Sequence, residues 1–216
     1  MGQEKPAEVV SPQLFQPPLA ISRPAGKNIL RREEPMASHH HYETLKIDHR
    51  DGVDWLTLNR PDQFNAINQK MTEELLDYFA KLYFKYETRV VVMRGAGKHF
   101  CSGLDLNDAG HFGASNAADM LGQRLISEII MRMRRCPQPI IGLMQGAATG
   151  GGFAFALACD VRYAADNARM NVAMTKIGLT GCDVGISYFL PRSVGTSNAA
   201  EMMMSGRFVK ADKALR

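Results

Sequence analysis

Gln145-Gly146-Ala147-Ala148-Thr149-Gly150-Gly151-Gly152 runs straight into an apolar, helix-like stretch, Phe153 to Ala158. Consecutive glycines let a backbone pass close to a ligand and take angles that other residues resist. A helix start just beyond them offers unpaired N–H groups and a partial positive charge. Together they describe a place to hold an anion, either a phosphate or an oxyanion that develops during a reaction. The same glycines also suit a tight helix–sheet contact. A second loop, Lys98-His99-Phe100-Cys101-Ser102-Gly103-Leu104-Asp105-Leu106, crowds small residues at another strand exit. Two such exits from neighbouring parallel strands can aim two backbone N–H groups at one oxygen.

The elements that must position these loops are legible in the pattern. Leu45–His49 and Val53–Asn59 read as strands joined at Asp51-Gly52, a hairpin turn pair. Pro61 stops the second. Asn68 caps a helix whose apolar positions Met71, Leu75, Phe79 and Leu82 recur at helical spacing. Val90–Arg94 is a short β-branched buried strand. Asn107 to Ala118, rich in Gly, Ala, Ser and Asn, reads as a mobile cover. Met120–Arg134 predicts a helix with Leu121, Leu125, Ile129 and Met133 on one face. Pro137 and Pro139 end it, and the strand Pro139–Met144 feeds the glycines. Alternating strands and helices predict right-handed parallel βα units, hence an α/β fold. Chemistry then belongs where strands give way to loops and helix starts.

The 216 residues suffice for one domain with a real core. Residues 1–41 read as a flexible N-terminal tail and residues 42–216 as the folded core. Acidic Glu4 and Glu8 argue against a simple transit peptide, although the basic stretch Ile21–Arg32 keeps a mitochondrial address open beside the cytoplasmic one. His39, His40 and His41 read as a solvated cluster rather than a metal site. A formal net charge of +4 can attract an acidic ligand but does not indicate nucleic acid. No apolar run approaches the ~20 residues of a membrane helix. The four cysteines, Cys101, Cys136, Cys159 and Cys182, have no CxxC spacing, so they read as buried free thiols.

Four blocks carry a resemblance: Asn59–Asn68 (NRPDQFNAIN), His99–Leu106 (HFCSGLDL), Gly146–Asp166 (GAATGGGFAFALACDVRYAAD) and Ser205–Leu215 (SGRFVKADKAL). In order and spacing they resemble the enoyl-CoA hydratase/isomerase family, the crotonases, over roughly Tyr42 to Arg216. The resemblance implies a ββα spiral with a largely parallel sheet surrounded by helices. It implies an acyl-CoA thioester as substrate, with coenzyme A arriving as part of it and no metal or redox cofactor. It implies a trimer or hexamer, weakened here because the chain stops at Arg216, where the family's further helices begin. That stop is read as a C-terminally short member, with an apolar face around Ala199–Met204 left without its usual cover.

The resemblance places the thioester oxygen between the N–H groups of Leu104 and Gly151. It places Asn65 and Ala66 at the adenine end of CoA, chiefly through backbone atoms, with Ser102 and Leu104 also on the CoA side. Arg60 is a candidate partner for a phosphate. Hydratases of the family carry glutamates where this chain has Ala154 and Met174, neither of which can move a proton. Asp183, in Gly178-Leu179-Thr180-Gly181-Cys182-Asp183-Val184-Gly185, is the substitute. An acid between glycines can point into a semi-apolar pocket and serve proton transfer. The competing reading is an N-cap for a helix over Ile186–Leu190. Glu128 reads as a surface residue, Asp105 as a loop anchor, Asp160 as the tie on a strand start, and His99 and His111 as surface histidines. The expected function is an enoyl-CoA hydratase or isomerase. The alternative is a non-catalytic acyl-CoA binder, or a subunit that associates with longer homologues.

Overall fold

A computed structural model describes residues 41–107 and 115–214 of the chain. The tail reading over residues 1–40, with His39 and His40, and residues 108–114 of the expected cover, with His111, lie outside the described residues.

The hairpin forms as the sequence implies. β1 (Leu45–Arg50) pairs antiparallel with β2 (Val53–Leu58), with Leu45 opposite Leu58. Asp51 and Gly52 both take positive φ, 51° and 80°, which matches the right-handed twist of the flanking strands. α1 (Gln69–Leu82) starts at Asn68, whose side chain accepts from the Met71 N–H. Its buried face is Met71, Leu75, Tyr78, Phe79 and Leu82. Glu74 on the same helix is buried, yet both its oxygens are used. They accept from the N–H groups of Glu43 and Thr44 and from the Thr44 hydroxyl, tying the start of β1 to α1.

β3 (Val90–Gly95) and β4 (Ile140–Met144) extend the sheet in parallel, and β6 (Val161–Ala164) closes it, giving the order β1-β2-β3-β4-β6. Between them α2 runs from Asn116 to Arg135. Ser115 caps this helix by accepting from the Ala118 N–H, so residues 116–118, expected in the cover, belong to its first turn. A second sheet, too short to show any alternation, consists of β5 (Ala147–Thr149), β7 (Arg169–Asn171) and β8 (Val209–Lys210). α3 (Gly151–Ala158) is apolar on every side and buried along nearly its whole length, the signature of a central helix. α4 (Ile186–Val194) and α5 (Thr196–Ser205) complete the described helices used below. On α5, Ala199 and Met202 are buried, whereas Met204 is 76% exposed. The arrangement is α/β with a mostly parallel sheet and surrounding helices. No helix among the described residues is long and apolar enough to cross a membrane.

Cys101 and Cys159 are buried, as expected of structural thiols, and burial pushes both up to about 12. Such thiols stay protonated and are poor nucleophiles at neutral pH. The expectation of buried thiols fails for the other pair: Cys136 is half-buried and Cys182 exposed, because each sits in a turn at a helix end.

At the N-terminal end of the parallel strands, Asp54 is fully buried and gathers four partners. His49 and Lys85 lie at 2.6 and 3.1 Å, the Thr88 hydroxyl at 3.0 Å and the Tyr78 hydroxyl at 3.1 Å. Burial by itself raises an acid's pKa. Here the bonds from His49, Lys85 and Thr88 outweigh it and hold the Asp54 carboxyl below the usual range. Because the folded-state value lies below the unfolded one of about 4, the network stabilises the fold above pH ~4 and stops doing so as pH falls through the folded value. Asp54→Asn is therefore expected to cost about 3 kcal/mol at pH 7 in urea unfolding, with the gap to the parent narrowing towards pH 3. A gap independent of pH would show that the carboxylate's charge contributes nothing.

Candidate active site

Three segments of the chain, after β2, after β3 and along β5, meet at the site. The segment after β3 is clamped on both sides. On one side Cys101 bridges Ala148: the Cys101 N–H donates to Ala147 O at 3.1 Å, and the Thr149 N–H donates to Cys101 O at 3.0 Å. On the other side Leu104 bridges Ile67: the Ile67 N–H donates to Gly103 O at 2.7 Å, and the Asp105 N–H donates to Ile67 O at 2.9 Å. A trans peptide points its C=O and N–H in opposite directions. With Gly103 O turned to Ile67, the Leu104 N–H turns away from it. The same reasoning holds at α3. Gly150 O accepts from the Ala154 N–H along the helix, so the Gly151 N–H points out of the helix start. Neither the Leu104 nor the Gly151 N–H has a protein acceptor among the described residues.

The glycines divide the labour. Gly150 turns the chain from β5 into α3 at φ 52°, ψ −120°, a conformation closed to other residues. Gly152 packs the helix: a Cβ there would lie 2.2 Å from Cys101 O. Gly151 is different, since a Cβ would meet only the tip of Ile67, Cδ1, at 2.9 Å. Gly103 (φ 90°) lies so close that its own Cβ would stand 2.8 Å from Thr149 O and 3.4 Å from Gly151 N. The two readings of the glycine run, tight packing and ligand approach, thus fall on adjacent residues.

A cavity of about 110 Å³ opens at this junction. Its walls bring together Ser102, Leu104, Gly151 and Asp183 from the residues expected at the site. The remaining walls are mainly apolar, among them Ile67, Ile126, Met174 and Leu179. Asp183 is the one carboxyl among the described residues that line it. Its Oδ1 accepts from the Val184 N–H at 2.8 Å and its Oδ2 from Gln123 Nε2 at 2.6 Å. It caps no helix: α4 is preceded by Gly185, with no side-chain bond to its first turn. Val184 takes φ 42°, ψ 40°, a left-handed conformation that is costly for a β-branched residue, directly beside the acid.

Asn65 and Ala66 do not line this cavity. Asn65 is fully buried. Its Nδ2 donates to Ala96 O, His99 O and Phe100 O, and its Oδ1 accepts from the Arg60 N–H, so the side chain fixes the two loops to each other. The Ala66 N–H donates to Gln63 O, and Ala66 O accepts from the Arg60 guanidinium. Arg60 also pairs with Asp105 at 2.9 Å, which makes Asp105 a loop anchor. Asp160 accepts from the Ile140 N–H at the start of β4. Glu128 pairs with Arg132 on α2 and stays outside the cavity. His99 is half-buried rather than at the surface, because its Nδ1 accepts from the Ala147 N–H at 3.0 Å. Ala154 is buried inside α3, and Met174 is on the cavity wall. Sequence reasoning missed Gln123. Its only signal was a place beside Gly122 and one turn before Ile126, on the buried face of α2.

Residues 48–216 match the family model described as Enoyl-CoA hydratase/isomerase. The chain is 38% identical over 170 residues to the Mycobacterium leprae (strain TN) protein named "Probable enoyl-CoA hydratase echA12", covering 76% of this chain and 58% of that one. It is 34% identical over 194 residues to the human mitochondrial Delta(3,5)-Delta(2,4)-dienoyl-CoA isomerase, covering 83% and 58%. The crystal structure of an enoyl-CoA hydratase from Bacillus anthracis superposes with a TM-score of 0.75 at 31% identity, over 80% of this chain and 66% of that one. The chain spans about three fifths of the length of the curated relatives it matches, 58% and 62% in two mycobacterial cases.

The glycine geometry sets an ordering of stabilities. Gly152→Ala forces a Cβ into a backbone oxygen and is expected to cost upwards of about 3 kcal/mol in urea unfolding, if it folds at all. Gly151→Ala asks only that Ile67 change rotamer and should stay within about 1 kcal/mol of the parent. Equal losses at the two positions would refute this division.

Proposed function

The chain belongs to the enoyl-CoA hydratase/isomerase family, and on that premise we propose that it binds an unsaturated acyl-CoA and shifts a double bond with one carboxylate, Asp183. The observation that carries the reading is the meeting, among the described residues, of two unpartnered backbone N–H groups and a single carboxyl in one largely apolar cavity. The thioester oxygen sits between the N–H groups of Leu104 and Gly151. Asp183 takes a proton from the carbon next to the carbonyl. The electron pair spreads into the thioester and charge gathers on its oxygen, where two fixed donors stabilise it, each by about 3–4 kcal/mol. The acid then returns the proton two carbons further along, and the double bond ends in conjugation. Nothing is added or lost. Apolar walls such as Ile126, Leu179 and Met174 suit the acyl chain and keep water from the anionic intermediate.

Hydration makes a different demand. Water must be activated while a carbon is protonated, and the positions where hydratases of the family hold their glutamates are Ala154 and Met174 here. Those same two residues favour a second reading, an acyl-CoA binder without turnover. In either reading coenzyme A comes with the substrate, and Asn65, Ala66 and Arg60 act on its nucleotide end only through the loop they shape. Assembly into trimers or hexamers belongs to the same proposal and is read by mass in solution.

A panel of enoyl- and dienoyl-CoA thioesters, followed by product mass and absorbance, separates the cases. The expected product is isomeric with the substrate. A product heavier by one water would redirect the reading to hydration, and tight binding without any product would favour the binder. Asp183→Asn is expected to lower kcat at least about 100-fold with substrate affinity little changed. Gly151→Pro removes the N–H at a helix position where proline is well tolerated, and should lower kcat by about 10²–10³. Full turnover in either variant would remove that group from the mechanism.

A further inference from the structure

Gln123 is the only other side chain that touches Asp183 by a hydrogen bond among the described contacts, and it reaches across 60 positions of sequence to do so. It sits on α2, half-buried, on the cavity wall. An ionised carboxylate offers only acceptors, so the Gln123 amide must present its NH2 side to Asp183. The two oxygens of Asp183 are thus held by donors from different elements. Gln123 on α2 takes Oδ2, and the strained Val184 peptide takes Oδ1. Two anchors fix the direction in which the carboxylate faces the cavity; one would leave it free to turn.

Among the described residues the surroundings leave no competing control. α3, packed against the 183–185 turn, has no titratable side chain. Cys182, next to Asp183 in the chain, is exposed. α4 carries Tyr188 and Arg192, whose guanidinium stacks on that ring at 3.8 Å. α2 carries Asp119, Arg124 and Glu128 in the turns flanking Gln123, and Glu128 is paired with Arg132. None of these lines the cavity.

We propose that Gln123 is a positioning residue: its carboxamide aims the Asp183 carboxylate at the substrate carbon and contributes nothing to substrate binding itself. The inference rests on the one-base reading of the cavity. An amide suits this task because it keeps its donor at every pH. A carboxyl in its place would stand 2.6 Å from Asp183 and share a proton with it.

The test replaces the donor while keeping the length. Gln123→Met is expected to lower kcat about 10–100-fold, as misplacement of a reacting group does, with KM within about threefold and the thermal midpoint nearly unchanged. Gln123→Asn, which keeps the amide but shortens its reach, should show the same split if the methionine variant folds poorly. Gln123→Glu should be impaired at pH 7 and at pH 9 alike: a shared proton ties up Asp183 at the first, and at the second two carboxylates face each other with no donor between them, so full recovery at pH 9 overturns the proposal. An unchanged kcat in Gln123→Met overturns the proposal. So does a loss confined to KM, which would make Gln123 a wall of the pocket. If the parent turns over no thioester, the one-base reading fails separately. The positioning claim is then read from the ¹³C resonance of the Asp183 carboxyl, assigned through Asp183→Asn. Movement of that resonance in Gln123→Met supports the claim, and a resonance that does not move sinks it.

Discussion

Everything at the site depends on the clamping of Cys101–Leu104 between two neighbours. Its hydrogen bonds run alternately to Ala147 and Thr149 on one side and to Phe64 and Ile67 on the other. Each contributes only about 1 kcal/mol net, but a buried amide left without its partner costs more than that. The segment therefore tolerates one register. Asn65 reinforces it from beneath by bonding three carbonyls of the 96–100 loop. Gly103 then reverses the backbone at φ 90°. The amides of Cys101, Ser102 and Asp105 are spoken for, and the Leu104 N–H has no acceptor among the described residues. A donor held in this way needs no reorganisation when charge develops opposite it, which is what makes fixed backbone donors effective.

Charge is distributed unevenly along the sheet. At one end Asp54, sealed in and met by His49, Lys85, Tyr78 and Thr88, is a structural ion whose partners all belong to the scaffold. At the other end the strands open onto a cavity whose described lining has one carboxyl and mainly aliphatic walls. Buried carboxylates that serve stability are saturated with donors. A carboxylate that serves chemistry must keep a face free, and Asp183 has two protein donors and the cavity before it. The separation lets the site stay underpacked without loosening the sheet.

Long periodic elements were legible from sequence. The Asp51-Gly52 hairpin, the Asn68 cap of α1 and the glycine-to-helix transition at α3 each have a local cause, and each formed where expected. The three short strands of the second sheet were not visible, because two or three residues cannot display a period. The start of α2 was missed because Ser115-Asn116-Ala117-Ala118 has a loop's composition, and only the Ser115 cap reveals the helix. Leu104 and Gly151 were singled out by family likeness and Asp183 as an acid between glycines, and the three line one cavity. Gln123 was not, because a glutamine in mid-helix looks like surface until a partner 60 residues away is seen. His99 was misjudged for the same reason: its partner, the Ala147 N–H, lies in a strand the sequence did not announce.

The strain at Val184 fits this division. A valine in the left-handed region costs roughly 1–3 kcal/mol, and it persists only where the surroundings over-determine it. Here they do. The Val184 side chain is 95% buried, at 5% exposure, and joins the core, a gain of about 1.5–3 kcal/mol that offsets the backbone cost. A glycine would adopt the angle freely but forfeit that packing, and the turn could then relax. The strained conformer also presents the amide that holds Asp183 Oδ1. Core packing, through one valine, thus fixes one oxygen of the carboxylate, while α2, through Gln123, fixes the other. The orientation of the acid thus draws on the hydrophobic core and on a helix as well as on the turn in which its own residue lies.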